Sequence, residues 1–178
     1  MSKLDIINSI LNENFKDESE FLSEKDKDKH GKDFEMKRKI IGGNQLSYCV
    51  YKYDVAKDIL PFFKTTGVTG LKKICDYLLF IEEGEHLFVF LIEMKKGTES
   101  AKRQLDAGQC FSEYIISTIN RLNLDIGISN QNLHFRKIRI SESKSKKVTL
   151  KKGIIEKENG VIEHQHPNCF FIQEYLTY

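Results

Sequence analysis

Only two prolines occur in the 178 residues, and long apolar runs are missing altogether. The scarcity of proline, beside many Lys and Glu, argues against a disordered, proline-rich chain. No apolar stretch approaches the roughly 20 residues that a membrane span requires. The start, Met1-Ser2-Lys3-Leu4-Asp5, lacks the apolar core of a signal peptide. A cytoplasmic protein with no membrane role is the simplest expectation. Cysteine is sparse as well: Cys49, Cys75, Cys110 and Cys169 are widely spread, and no two have C-x2-C spacing. They are expected to be small buried apolar residues rather than disulfides or a zinc knuckle. Internal repeats, low-complexity tracts, a P-loop, a dinucleotide fingerprint and a Ser-His-Asp set are also absent.

The net charge of +2 says little in total, but its distribution says more. Residues 136–152 hold Arg136, Lys137, Arg139, Lys144, Lys146, Lys147, Lys151 and Lys152 against Glu142 alone, while residues 1–35 carry an excess of acids. A basic band opposite an acidic end can attract a polyphosphate. A solvated loop between strands would carry the same residues. With 40% apolar and 30% charged residues, the chain is large enough to bury a core as a single domain over residues 1–178.

Apolar spacing sets out the elements. Leu4, Ile7, Leu11 and Phe15 predict a helix over residues 4–15, with Ser2 as its cap. Residues 16–33 are mostly polar and read as a loop or a solvated helix end. Two strands, 34–41 and 45–53, flank Gly42-Gly43-Asn44. Residues 55–63 look helical until Pro61, and Gly67 and Gly70 mark a turn. Residues 74–81 and 86–95 are apolar almost throughout, as in strands covered on both faces, and Glu82-Glu83-Gly84-Glu85 turns between them. Thr98 is placed to cap a helix running to about Leu122, with Ala101, Leu105, Gly108, Phe111 and Ile115 along one face. Strand-like pieces follow at 124–129, 133–140, 147–155, 161–166 and 170–176, with Asn159-Gly160 as a hairpin signal. The whole reads as one α/β domain with a mixed sheet and a β-rich C-terminal third.

Folding residues 74–95 about Glu83-Gly84 brings Asp76 opposite residues 91 to 93. Glu93 and Lys95, two apart, share a face of their strand. Two buried carboxylates repel, and one lysine compensates only in part. A hard divalent cation resolves the conflict, because Mg²⁺ favours carboxylate, carbonyl and water oxygens. Water beside such a cation and a lysine is a workable nucleophile for phosphodiester hydrolysis.

Cys75-Asp76, followed after a gap by Glu93-Met94-Lys95 on a β-hairpin that feeds a helix, resembles the Asp…Glu-x-Lys motif of the PD-(D/E)XK nuclease superfamily. That group includes type II restriction enzymes, Holliday-junction resolvases and many phage-defence nucleases. The resemblance covers residues 70–125, and Cys75 stands where the signature has proline. It implies a restriction-endonuclease-like mixed β-sheet flanked by helices, and a metal-dependent nuclease acting on nucleic acid, with DNA the expected substrate. Asp76, Glu93 and the backbone carbonyl of Met94 would hold Mg²⁺, for which Mn²⁺ would substitute, and Lys95 would position the attacking water. Gln104 matches a glutamine that many members carry on the next helix, with Gln109 a second candidate. Lys96, Lys102 and Arg103 lie where they could hold the nucleic-acid backbone, and Arg136, Lys137 and Arg139 of the basic stretch join them. An acidic residue from the first helix is open among Glu13, Glu18, Glu20 and Glu35. A homodimer would account for double-strand cutting, though nothing in the chain demands one.

Other readings compete. Charged residues end many buried strands simply because the strand has reached water. His164, His166 and Cys169 spell H-x-H-x2-C, but no fourth zinc ligand is evident and strand-end alternation accounts for the histidines. His86 and His134 read as isolated structural residues. Besides a Mg²⁺-dependent nuclease, the sequence fits a catalytically inactive protein of the same fold that binds nucleic acid. It also fits an interaction protein whose acidic N-terminal region meets a basic partner.

Overall fold

The two apolar runs on either side of Gly84 pair with each other and organise everything else. A computed structural model describes residues 2–27, 31, 33–43, 46–53, 59–64, 66–97, 99–122, 124, 128–142, 154–156 and 159–177. In it β4 (Tyr77–Glu83) and β5 (His86–Lys95) form an antiparallel ladder from Glu83↔His86 to Tyr77↔Ile92. Gly84, at φ 59, supplies the left-handed residue that a two-residue hairpin turn needs. Leu78 to Ile81 and Leu87 to Ile92 are fully buried. Each such side chain contributes about 1.5–3 kcal/mol of hydrophobic stabilisation.

β4 and β5 sit inside a six-stranded mixed sheet of order β3-β4-β5-β6-β8-β7. β3 (Ser47–Lys52) pairs antiparallel with β4, and β6 (Leu133–Ser141) pairs parallel with β5. The parallel pairing needs a crossover, which α2 (Lys102–Arg121) provides. β8 (Val161–His164) runs parallel to β6 and antiparallel to β7 (Ile154–Glu156), the hairpin that Asn159-Gly160 signals. A second, three-stranded sheet has the order β1-β2-β9, from Phe21–Lys27, Asp33–Ile41 and Cys169–Phe171.

Because β4 and β5 are apolar on both faces over Leu78–Ile81 and Leu87–Ile92, they face two cores. Leu78, Phe80, Val89 and Leu91 pack against α1 (Lys3–Ile10) and α2 through Leu4, Ile7, Leu105 and Ile115. Leu79, Phe88, Phe90 and Ile92 pack against the three-stranded sheet through Leu22, Met36, Ile40 and Phe170. The sheet is therefore flanked by helices on one face and by a second sheet on the other. No helix among the described residues is long and apolar enough to cross a membrane.

Several expectations shift. Ser2 does cap α1, through a reciprocal pair of bonds with Asp5, but the helix stops at Ile10 and not Phe15. Asn12 turns the chain instead, its side chain accepting from the Asn14 N–H and starting a 3-10 turn at Glu13–Phe15. The polar stretch expected as a loop contains strand β1, recognisable only by its pairing with β2 and by buried Leu22. β2 and β3 do not pair with each other. Gly42, with the Tyr48 ring where a Cβ would stand, lies in the link that passes the chain from one sheet to the other. Ile59 to Phe63 form a turn, not a helix, and residues 54–58 lie outside the described ones. Ile128 and Ser129 are not in a strand, residues 125–127 being outside the described set. The last expected strand shortens to β9 followed by a 3-10 turn at Ile172–Tyr175. Lys144, Lys146, Lys147, Lys151 and Lys152 also lie outside the described residues.

His164 joins the two sheets. Its Nε2 donates to the Cys169 carbonyl at 2.8 Å, so the neutral ring offers Nδ1 as acceptor to the Tyr175 hydroxyl at 2.5 Å. Burial holds its pKa down to about 4 from 6.5. Below pH 6.5 the unfolded chain takes up a proton that the folded chain refuses until about pH 4, so folding weakens across that window by about 3 kcal/mol in all. Urea unfolding from pH 7 to pH 4 should therefore show a steeper loss of stability in the wild type than in His164→Gln. Parallel curves for the two proteins would contradict this account.

Candidate active site

One step beyond Tyr77↔Ile92, the ladder brings Asp76 opposite Glu93, and here side chains take over the bonding. The Asp76 N–H donates to Glu93 Oε2 at 3.2 Å, and the Met94 N–H donates to Asp76 Oδ2 at 2.7 Å. In a strand the N–H and C=O of one residue point to the same neighbour, so the Met94 carbonyl is also directed toward Asp76. Lys95 projects from the same face as Glu93, with Nζ 2.7 Å from Glu93 Oε1. The three side chains expected from the hairpin are together, on the helix side of the sheet.

The cluster is short of positive charge. Asp76 is 7% exposed and Glu93 2%. Burial raises the Glu93 pKa above 4.5, against the opposing pull of Lys95 and of bonds from Asp76. Burial also pulls Lys95 down, but its bond to Glu93 and the charges of Glu93, Asp76 and Glu99 outweigh that, so Lys95 stays an ammonium at neutral pH. Next along the sheet, Glu93 neighbours Arg139 and Arg139 neighbours Glu163. Three carboxylates and two cations leave one negative charge in a low-dielectric setting, and a divalent cation suits that imbalance. Two carboxylates with an adjacent carbonyl make a hard-oxygen donor set of the kind Mg²⁺ takes. Among the described residues, no group of three or more His, Cys, Asp or Glu side chains gathers as a ligand set.

Helix α2 packs over β5 and β6 and closes on Cys75, the residue before Asp76. A Cβ on Gly108 would stand 2.4 Å from Cys75 Sγ, so the glycine is what allows this approach. Cys75 is completely buried, which drives its thiol pKa well up and leaves it a packing residue. Gln104 is half-buried one turn before Gly108, toward the end of α2 nearer Lys95. Gln109 instead donates to Glu113 at 2.7 Å on the outer side of the helix. Thr98 lies outside the described residues; the N-cap is Ala101, without a side-chain bond.

The basic candidates divide. Lys102 and Lys137 reach Asp106 from α2 and β6, at 2.5 and 2.6 Å, and Arg103 is exposed on α2; these lie on the helix side. Lys96 faces the other way, over the Phe34 ring, and Arg136 is tied to the carbonyls of Tyr175 and Thr177. Arg139, expected as a phosphate contact, is buried. It donates to Glu163 and to the carbonyls of Gly97 and Glu99, so it holds the β5–α2 connection against β8. Glu163 escaped notice in the sequence, although a lone acid inside Val161–His164 is a signal of its kind. Beside this pair opens a cleft of about 510 Å³, lined by Gly97, Ser100, Lys102, Ser141, Glu142 and Gln165.

Of the upstream acids, Glu20 and Glu35 pair with lysines of the three-stranded sheet, and Glu18 is exposed. Glu13 is exposed two residues before Phe15, which stacks on Tyr53, whose N–H donates to the Asp76 carbonyl. That chain of contacts links the turn that carries Glu13 to the backbone of Asp76. In the H-x-H-x2-C cluster both His164 nitrogens are engaged by Tyr175 and Cys169, as a structural residue requires. His86 and His134 are not isolated: their rings meet at 2.9 Å, Nδ1 to Nε2, at the opposite end of the sheet.

Three substitutions probe this architecture. Gly108→Ala should cost about 1–3 kcal/mol by overpacking, and adding Cys75→Ala should restore much of it, since the contacts left are ordinary ones. Arg139→Gln should lower unfolding free energy by about 3–5 kcal/mol, the effect of stranding a buried charge. Thermal unfolding of the single and double variants measures both, and additivity of the Gly108 and Cys75 changes would refute the first.

Comparison with protein-family models, with curated proteins and with solved structures found no match in any of the three, so the reading of this site rests on its own geometry and chemistry.

Proposed function

We propose that the protein is a metal-dependent nuclease of the PD-(D/E)XK type that hydrolyses phosphodiester bonds in DNA. The observation that carries the reading is the Asp76–Glu93–Lys95 cluster, buried at the end of a hairpin whose second strand leads into α2. Asp76, Glu93 and the Met94 carbonyl would hold Mg²⁺ or Mn²⁺, which when bound polarises a phosphate oxygen and stabilises developing charge. Lys95, as an ammonium, donates hydrogen bonds: it orients water for in-line attack and steadies negative charge on the phosphate. Gln104, half-buried on the first turn of α2, would join them, and Lys102, Arg103 and Lys137 would offer positive charge to the strand. The resemblance to that superfamily implies a 5′-phosphate and a 3′-hydroxyl as the products.

A second reading keeps the fold and the nucleic acid without the chemistry. In its favour is the lack, among the described residues, of a third acidic side chain gathered with Asp76 and Glu93. Titration calorimetry with Mn²⁺ or Mg²⁺, followed by incubation with plasmid and single-stranded DNA, separates the two. Wild type should bind metal and cut. Asp76→Ala should lose metal binding and cleavage, and Lys95→Ala should keep the fold while cutting about 10²–10⁴-fold more slowly. Unchanged cleavage in both variants would sink the nuclease reading, and salt-sensitive binding without any product would favour the second.

A further inference from the structure

The chain between β3 and β4 presents apolar surface where a soluble loop has none to spare. Phe62 is 75% exposed, Phe63 40%, Val68 68% and Leu71 37%. The two phenylalanine rings lie against each other at 4.7 Å, tilted by 50°. Short turns hold the segment in shape, with N–H groups of Phe63, Leu71 and Lys73 donating to the carbonyls of Leu60, Val68 and Gly70. Its charge is of one sign: residues 59–74 contain Lys64, Lys72 and Lys73 and no acid. Exposed aromatic faces beside lysines suit a partner that offers flat apolar surfaces and negative charge together.

Location selects among such partners. Ile59 and Ile74, at the two ends of the segment, pack into the core on the helix side of the sheet, the side that carries Asp76, Glu93 and Lys95. Lys73 stands three residues before Asp76, so at most about 11 Å of chain separates them. We propose that residues 59–64 and 66–74 grip nucleic acid beside the Asp76 cluster, Phe62 and Phe63 stacking on unpaired bases while Lys64, Lys72 and Lys73 follow the phosphates. The proposal rests on the nuclease reading for its choice of nucleic acid over an anionic membrane, which would meet the same rings and lysines.

Fluorescence anisotropy of a labelled mixed-sequence single-stranded oligodeoxynucleotide, measured in EDTA so that nothing is cut, tests it. Wild type should bind, and Phe62→Ala/Phe63→Ala should bind about tenfold or more weakly, as loss of base stacking requires. Phe62→Trp/Phe63→Trp should retain affinity, and Phe62→Leu/Phe63→Leu should not. No binding by wild type, or equal affinity in the alanine or leucine pair, would overturn the proposal. So would flotation with phosphatidylserine vesicles that the alanine pair abolishes while its oligonucleotide affinity stays intact. A Mg²⁺ cleavage assay on the same samples keeps the two ideas apart. Binding through the rings without cutting refutes the nuclease and leaves the grip standing, whereas cutting with normal binding by the alanine pair refutes the grip alone.

Discussion

Asp76 and Glu93 meet through main-chain hydrogen bonds at the open end of the β4–β5 hairpin, and the geometry of the site depends on that exchange. Each carboxylate spends one oxygen on a backbone N–H, which fixes the other relative to the strands. The exchange exists only in one register. A slip by one residue would turn Glu93 and Lys95 toward the three-stranded sheet and break the pairing. Gly84 at the turn and the fully buried run of Leu, Ile and Phe side chains hold that register from the far end. Packing that contains no functional group thus determines where the functional groups stand.

The same arrangement opposes stability locally. Burial raises Glu93 above its ordinary pKa, and Lys95 and main-chain bonds offset that only in part. Around this point the fold concentrates its strongest polar ties. Arg139 bonds to Glu163 and to two carbonyls of the β5–α2 connection, and so secures the stretch that follows Lys95. Gly108 lets α2 close over Cys75, the residue next to Asp76 in the chain. A less tightly held shell would let the carboxylates move apart and relieve their repulsion.

The two faces of the large sheet carry different work. The helix side holds Asp76, Glu93 and Lys95 and the lysines of α2 and β6 that accompany the proposed chemistry. The opposite side is structural: Tyr77 bonds to both the N–H and the carbonyl of Ser23, and His164 bonds across to Cys169 and Tyr175. These buried polar links specify how the second sheet docks, something apolar contact alone does poorly.

How much of this was legible in advance depends on the range of the interaction. The boundaries of β5, the existence of α2, and the shared face of Glu93 and Lys95 follow from strand and helix periodicity, which is written in neighbouring residues. The Asn159-Gly160 hairpin and the Ser2 cap are local in the same sense. β1 was not legible, because Leu22, the one deeply buried side chain among those described in it, gives no pattern and its backbone bonds belong to β2. Arg136 and Arg139 looked like surface charges because nothing near them in sequence reveals the carbonyls of Tyr175 and Gly97 that they reach. The sequence by itself determined the hairpin and the residues at its end, and left Asp76 opposite residues 91 to 93; the ladder itself fixed the register. The tertiary structure decided which face the second sheet covers, which charges are buried in pairs, and how closely α2 approaches Cys75. Those depend on distant segments meeting in space, and periodicity carries no record of the partner.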